Sequence, residues 1–163
     1  SKPDRRALSQ GMILPGPIKE GMEWAVLAID VSGSIAPPEL EAFFSHIELI
    51  RKQMKINRMT LLPFYQIALQ TEIVELGPND KIPRSLNIGG GTRFAPIFNW
   101  VRRQPKTPDG IIVFTDLCCA DYGEPVPTSI LWASTMEIYH DKDNWRHNAP
   151  PFGEAIEIDI SND

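Results

Sequence analysis

From Trp24 the chain reads Trp-Ala-Val-Leu-Ala-Ile-Asp, an apolar run that ends abruptly in the carboxylate of Asp30. So continuous a run predicts a strand buried on both faces, as in a parallel sheet covered by helices. Ser32, Gly33 and Ser34 follow, then Pro37 and Pro38, which places polar side chains in a loop between the carboxyl end of a buried strand and a helix. In open α/β sheets that crevice is the usual ligand site. The helix is predicted over residues 39–54, where Leu40, Phe43, Phe44, Ile47, Ile50 and Met54 recur at helical spacing, with acids early and bases late. His46 borders this stripe and reads as a boundary residue.

Residues 58–65 and 67–76 read as two strands whose short connection makes them an antiparallel hairpin, with Pro63 marking a bulge or a strand end. A loop follows over 77–88. Gly89, Gly90 and Gly91 then let the backbone approach something closely and set Thr92 at the start of a helix over 94–103, which buries Phe94, Ile97, Phe98 and Val101 before Pro105 closes it. Residues 110–116, Gly-Ile-Ile-Val-Phe-Thr-Asp, repeat the opening grammar, an apolar strand ending in a carboxylate. The last two strands are predicted over 128–134 and 154–160, with a polar loop over 135–153.

Composition narrows the picture. At 163 residues there is room for one domain with a real core. We expect an arm or linker over residues 1–21, punctuated by Pro3, Gly11, Pro15, Gly16 and Pro17, and the domain over 22–163. Beginning at Ser1 without a methionine, the chain reads as a piece of something longer. A net charge of −5 argues against a general nucleic-acid binder, and the local bases Arg102, Arg103 and Lys106 read as the solvated end of a helix. Neither an apolar run of membrane-spanning length nor a signal-peptide pattern is seen, so no membrane partner is expected. The only cysteines are the neighbours Cys118 and Cys119, which give no disulfide framework and favour a reduced, cytoplasmic setting in which both are small buried hydrophobes.

Three loops carry the candidate chemistry, and all are expected at one sheet edge: Asp30, Ser32 and Ser34; Thr92; and Asp116. Carboxylates and hydroxyls are hard oxygen donors, suited to Mg²⁺ or Mn²⁺ and not to zinc. With hydroxyls bound directly and the acids acting largely through water, such an ion keeps much of its charge and seeks an acidic oxygen from outside. Plainer roles exist: Ser34 and Thr92 could each cap a helix. Asp121 and Glu124 read as solvated loop residues, Trp132 and Trp145 as packing residues. His140, Asp141, Asp143 and His147 are too irregularly spaced for a metal cluster.

Asp30-x-Ser32-x-Ser34, the threonine after a glycine run and the Thr115-Asp116 pair resemble, in this order, the metal-ion-dependent adhesion site of von Willebrand factor type A (VWA) domains. The resemblance covers about residues 24–160. It implies a Rossmann-like, mostly parallel sheet with one antiparallel edge strand and helices on both faces, here trimmed of helices near the C-terminus, and a cation at Asp30, Ser32, Ser34, Thr92 and Asp116. More narrowly, the glycine run, Leu131-Trp132 and Pro151-Phe152-Gly153-Glu154 resemble a bacterial subgroup in which a VWA-like domain closes predicted metallopeptidase-like proteins, often alongside MoxR-type AAA ATPases. Gln66 departs from that subgroup, which often has an aspartate there, and His-Glu-x-x-His is absent. The expected function is a non-enzymatic module that captures an Asp or Glu of a protein partner, such as an AAA ATPase, through the ion. The alternative is a metal-dependent hydrolase, for which no general base is evident in the sequence, or an accessory domain of a metallopeptidase-like enzyme.

Overall fold

A computed structural model of the chain describes residues 16–82, 89–141 and 143–160. Most of the expected N-terminal arm lies outside them. Six strands, β1 (Trp24–Asp30), β2 (Arg58–Phe64), β3 (Val74–Leu76), β4 (Gly110–Thr115), β5 (Ser129–Ser134) and β6 (Glu154–Glu157), form one sheet in the order β3-β2-β1-β4-β5-β6. All neighbours run parallel except β3, which is antiparallel to β2 at one edge. The helices are α1 (Pro37–Met54) and α2 (Ala95–Arg102), and no α-helix follows α2 among the described residues.

The apolar run at β1 divides by parity, as the two-residue period of a strand requires. Ala25, Leu27 and Ile29 face a core filled by Phe43, Phe44, Ile47 and Ile50 of α1. Trp24, Val26 and Ala28 face the other, with Phe94 and with Ile97, Phe98 and Val101 of α2. One helix thus covers each face. Every residue of β1 is buried, which forces its terminal carboxylate to be buried too. Ile18, inside the stretch expected as an arm, is also buried in the first core, and the Gly21 N–H donates to the Met54 carbonyl at 2.7 Å.

The expected hairpin is much shorter than the pattern suggests. β3 holds three residues, and a 3-10 turn occupies Gln70–Glu72. Pro63 explains the loss. Its carbonyl points away from β1 and accepts the Leu69 N–H at 2.9 Å, so its missing N–H falls on the side where β3 would have continued. The ladder with β3 stops at Leu61↔Val74.

The second core is organised by Trp132, which is fully buried and meets Phe94 at 4.9 Å, Tyr122 at 5.3 Å and Phe152 at 5.8 Å between ring centroids. Its indole N–H donates to the Phe152 carbonyl at 2.8 Å. The next residue, Gly153, has φ +78°, and a Cβ there would lie 2.8 Å from the Ile130 carbonyl oxygen and 3.0 Å from Trp132 Nε1. Gly153→Ala should therefore lower stability by more than about 1 kcal/mol, read as a drop in thermal midpoint. Gly21→Ala is the control: φ is +79° with nothing within 4 Å, so it carries backbone strain without the collision and should cost less.

Candidate metal centre

Asp30 ends the central strand with no exposed surface, yet both its oxygens have donors. The Ser32 N–H donates to Oδ1 at 2.9 Å, and the Thr115 hydroxyl donates to Oδ2 at 2.7 Å. Burial pushes the Asp30 carboxyl up to about 6 from its ordinary 3.8; hydrogen bonds from Ser32 and Thr115 oppose the rise, and the nearby charge of Asp116 adds to it. Asp116 ends the adjacent strand in the same way, 4% exposed, with Oδ1 accepting the Cys118 N–H at 3.0 Å. Among the described residues neither acid has an ion-pair partner.

The hydroxyls stand close by. Ser32 is buried and its Oγ lies 3.4 Å from that of Ser34, which is exposed. Neither Ser34 nor Thr92 caps a helix, contrary to the plainer readings. α1 is capped at Ala36, whose N–H donates to Glu39 Oε1 at 3.0 Å, and α2 starts from Phe94 without a side-chain cap. Helix capping therefore does not explain the presence of either hydroxyl.

Hydrogen bonds join the three loops pairwise. Thr115 to Asp30 links the β4 and β1 loops. The glycine segment meets the β1 loop through Gly33 N–H to the Gly90 carbonyl and Gly89 N–H to the Val31 carbonyl, both 2.8 Å. It meets the β4 loop through the Cys119 thiol, which donates to the Thr92 carbonyl at 3.2 Å, and through Phe94 N–H to the Asp121 carbonyl at 2.9 Å. The glycines serve proximity: a Cβ on Gly89 would sit 2.8 Å from the Tyr65 ring, and one on Gly91 would sit 3.1 Å from the Gln66 amide nitrogen.

This arrangement can hold a hard dication. Two neighbouring buried acids lie beside two hydroxyls, and among the described residues no basic side chain is in ion-pair contact with either acid. The donor set fits Mg²⁺ or Mn²⁺. Among the described residues no group of three or more His, Cys, Asp or Glu side chains is placed to hold a metal. Cys118 and Cys119 are free, and burial pushes both thiols up, away from the thiolate form. Cys119 is buried, while Cys118 is only half covered.

Two residues of the neighbourhood have roles that the sequence does not show. Thr115 enters the resemblance only as the neighbour of Asp116, and the structure gives it a role through its hydrogen bond to Asp30, with a second from the Leu117 N–H at 3.1 Å. His147 lies far off in sequence, yet its Nδ1–H donates to the Asp116 carbonyl at 2.6 Å and its backbone N–H to the Leu117 carbonyl at 2.9 Å. Trp145, expected to pack, is instead 47% exposed, because it rides in a polar turn. Asp121 is exposed as expected and pairs with Arg93 at 2.7 Å. Its neighbours in the loop after β4, Ala120 and Glu124, are exposed too.

No curated protein matches the chain. Eight chains of solved structures do. One, described as an aerotolerance-related membrane protein from Bacteroides fragilis NCTC 9343 with multiple mutations to serines, is 18% identical, with a TM-score of 0.48 over 69% of this chain and 67% of that chain. In the present chain no helix among the described residues is long and apolar enough to cross a membrane. A family model described as a VWA-like domain (DUF2201) matches residues 25–159, from the second residue of β1 to just beyond β6, with Asp30, Ser32, Ser34, Thr92 and Asp116 all inside the match. The chain belongs to this family of VWA-like domains.

Proposed function

We propose that the domain is a cation-dependent protein-binding module: Ser32, Ser34 and Thr92 hold Mg²⁺ or Mn²⁺ through their hydroxyls, Asp30 and Asp116 supply the surrounding charge, and an Asp or Glu of a protein partner completes the site. The observation that carries this reading is the pair of buried acids without an ion-pair partner among the described residues, in loops hydrogen-bonded to those that carry Ser32, Ser34 and Thr92, whose hydroxyls cap no helix. A bound dication supplies a Lewis-acid centre for an outside carboxylate oxygen. The chain's own part is to fix the donors. Ser32 N–H and Thr115 orient Asp30, Cys118 N–H orients Asp116, and the Gly33 to Gly90 contact holds the serine loop against the threonine loop. On the subgroup resemblance, a MoxR-type AAA ATPase is the partner class to try first, in a cytoplasmic setting, with this domain as the non-catalytic part of a longer metallopeptidase-like protein.

Titration with Mn²⁺, followed by electron paramagnetic resonance, tests the site without a partner. The wild-type domain should bind one ion, with Mg²⁺ competing, and Ser32→Ala with Ser34→Ala should weaken binding at least about tenfold while the circular dichroism spectrum is unchanged. A wild-type domain that takes up no Mn²⁺ refutes the reading.

Asp30 sets the pH dependence. Its folded pKa lies above its unfolded one, so without a cation its contribution favours the folded state most below pH 3.8 and is lost as pH rises through about 6. At neutral pH the ionised form costs on the order of 3 kcal/mol. Asp30→Asn should thus raise the thermal midpoint of the cation-free domain at pH 7 and abolish Mn²⁺ binding. In the wild type, Mn²⁺ affinity should fall as pH drops below about 6, because the ligand set must be deprotonated.

A further inference from the structure

Five large apolar side chains stand exposed among the described residues: Ile67, Met136, Tyr139, Trp145 and Ile160. Each lies in a segment that follows the carboxyl end of β2, β5 or β6, on the edge that carries Asp30 and Asp116. Single exposed apolar residues need no explanation, but their confinement to one edge marks that edge for contact. Beside Thr92 the edge sinks into an open depression of about 390 Å³ lined by Thr92, Cys118, Cys119, Ala120, Asp121 and Trp145. Two of its polar members are already engaged: Asp121 pairs with Arg93, and the Cys119 thiol is hydrogen-bonded to the Thr92 carbonyl and receives the Asp121 N–H, while the Thr92 hydroxyl is a ligand of the proposed ion. Indole, methyl and the half-covered thiol of Cys118 remain to meet a guest.

The outer wall is tied to the candidate metal centre. His147, two residues after Trp145, bonds the carbonyls of Asp116 and Leu117. Both His147, at φ 56°, and Leu117, at φ 58°, hold left-handed backbone that non-glycine residues avoid unless their surroundings impose it. The Tyr139 N–H donates to the His147 carbonyl at 2.9 Å and clasps the loop from behind. The guanidinium of Arg146 lies 5.1 Å from the Trp145 ring centroid, so a positive charge sits on the rim.

We propose that this depression is a side-chain subsite beside the captured acid, and that the preferred partner is a peptide segment in which an Asp or Glu is followed or preceded by a large apolar residue such as Leu, Met or Phe. The inference rests on the cation reading above and goes beyond it in naming the neighbour. Thr92 and Cys118 connect the two sites, since Thr92 is a proposed ligand and Cys118 N–H holds Asp116. Arg146 complements the acidic segment and the apolar wall complements its neighbour.

Surface plasmon resonance against two immobilised acetylated peptides, Gly-Leu-Asp-Leu-Gly and Gly-Ser-Asp-Ser-Gly, tests the subsite in MgCl₂ and in EDTA. The leucine peptide should bind about tenfold more tightly in Mg²⁺, and EDTA should release both. Trp145→Ala, at an exposed site, should erase the leucine preference while leaving Mn²⁺ affinity unchanged, and Ala120→Trp should do the same by filling the depression. Equal affinity for both peptides, or a preference that survives Trp145→Ala, overturns the subsite and leaves the cation reading intact. A preference that persists in EDTA overturns the link between the two sites. Mn²⁺ uptake with neither peptide bound overturns the capture of acidic segments along with the subsite.

Discussion

An ionisable group at the end of the most buried strand is the constraint from which the rest follows. β1 occupies the middle of the sheet, with β2 on one side and β4 on the other and a helix over each face. Its last side chain has no route to solvent, and a carboxylate in that position must be neutralised by a proton, by donors or by a cation. The protein supplies donors, one from the following turn and one from the neighbouring strand. They reduce the effect of burial without cancelling it, and Asp116 at the end of the next strand makes the ionised form harder still. On the proposed reading a dication would supply the counter-charge that these donors leave incomplete at Asp30.

Much of this was legible in the amino-acid order because it depends on local periodicity. The run from Trp24 to Asp30 and its echo ending at Asp116 announce buried parallel strands, and the stripe from Leu40 to Met54 announces the helix that covers them. Asp30 and Asp116 were legible at strand ends for the same reason. What stayed hidden depends on partners far away in sequence. Thr115 stands out only as the neighbour of Asp116 until Asp30 is placed beside it, and His147 sits in a polar loop whose own spacing says nothing about Asp116. The shortness of β3 was half legible: Pro63 signalled a break, but which side lost its hydrogen bond depended on the direction in which the proline faced. The role of the glycines before Thr92 was legible as close approach, though not that Tyr65 and Gln66 are what the backbone approaches.

The C-terminal third shows how a domain with few helices secures its second face. After α2 the described chain contains strands and loops alone, and Trp132 with Phe94, Phe98, Tyr122 and Phe152 fills the space between sheet and loop. Aromatic edges and faces stack at the spacings expected of such clusters. The loop that closes this side is held by hydrogen bonds to the turn after β4, so its posture and that of Asp116 are mechanically related.

The hydrogen bond between Thr115 and Asp30 joins positions 85 residues apart, and this separation has a consequence for biosynthesis. On the ribosome the first strand emerges early and stays without one of its two sheet neighbours until β4 has also left the exit tunnel. Through that interval the aspartate is a solvated acid on an unfinished sheet, so the burial that raises its pKa is imposed late in translation, and a nascent fragment ending before residue 110 lacks the Thr115 donor.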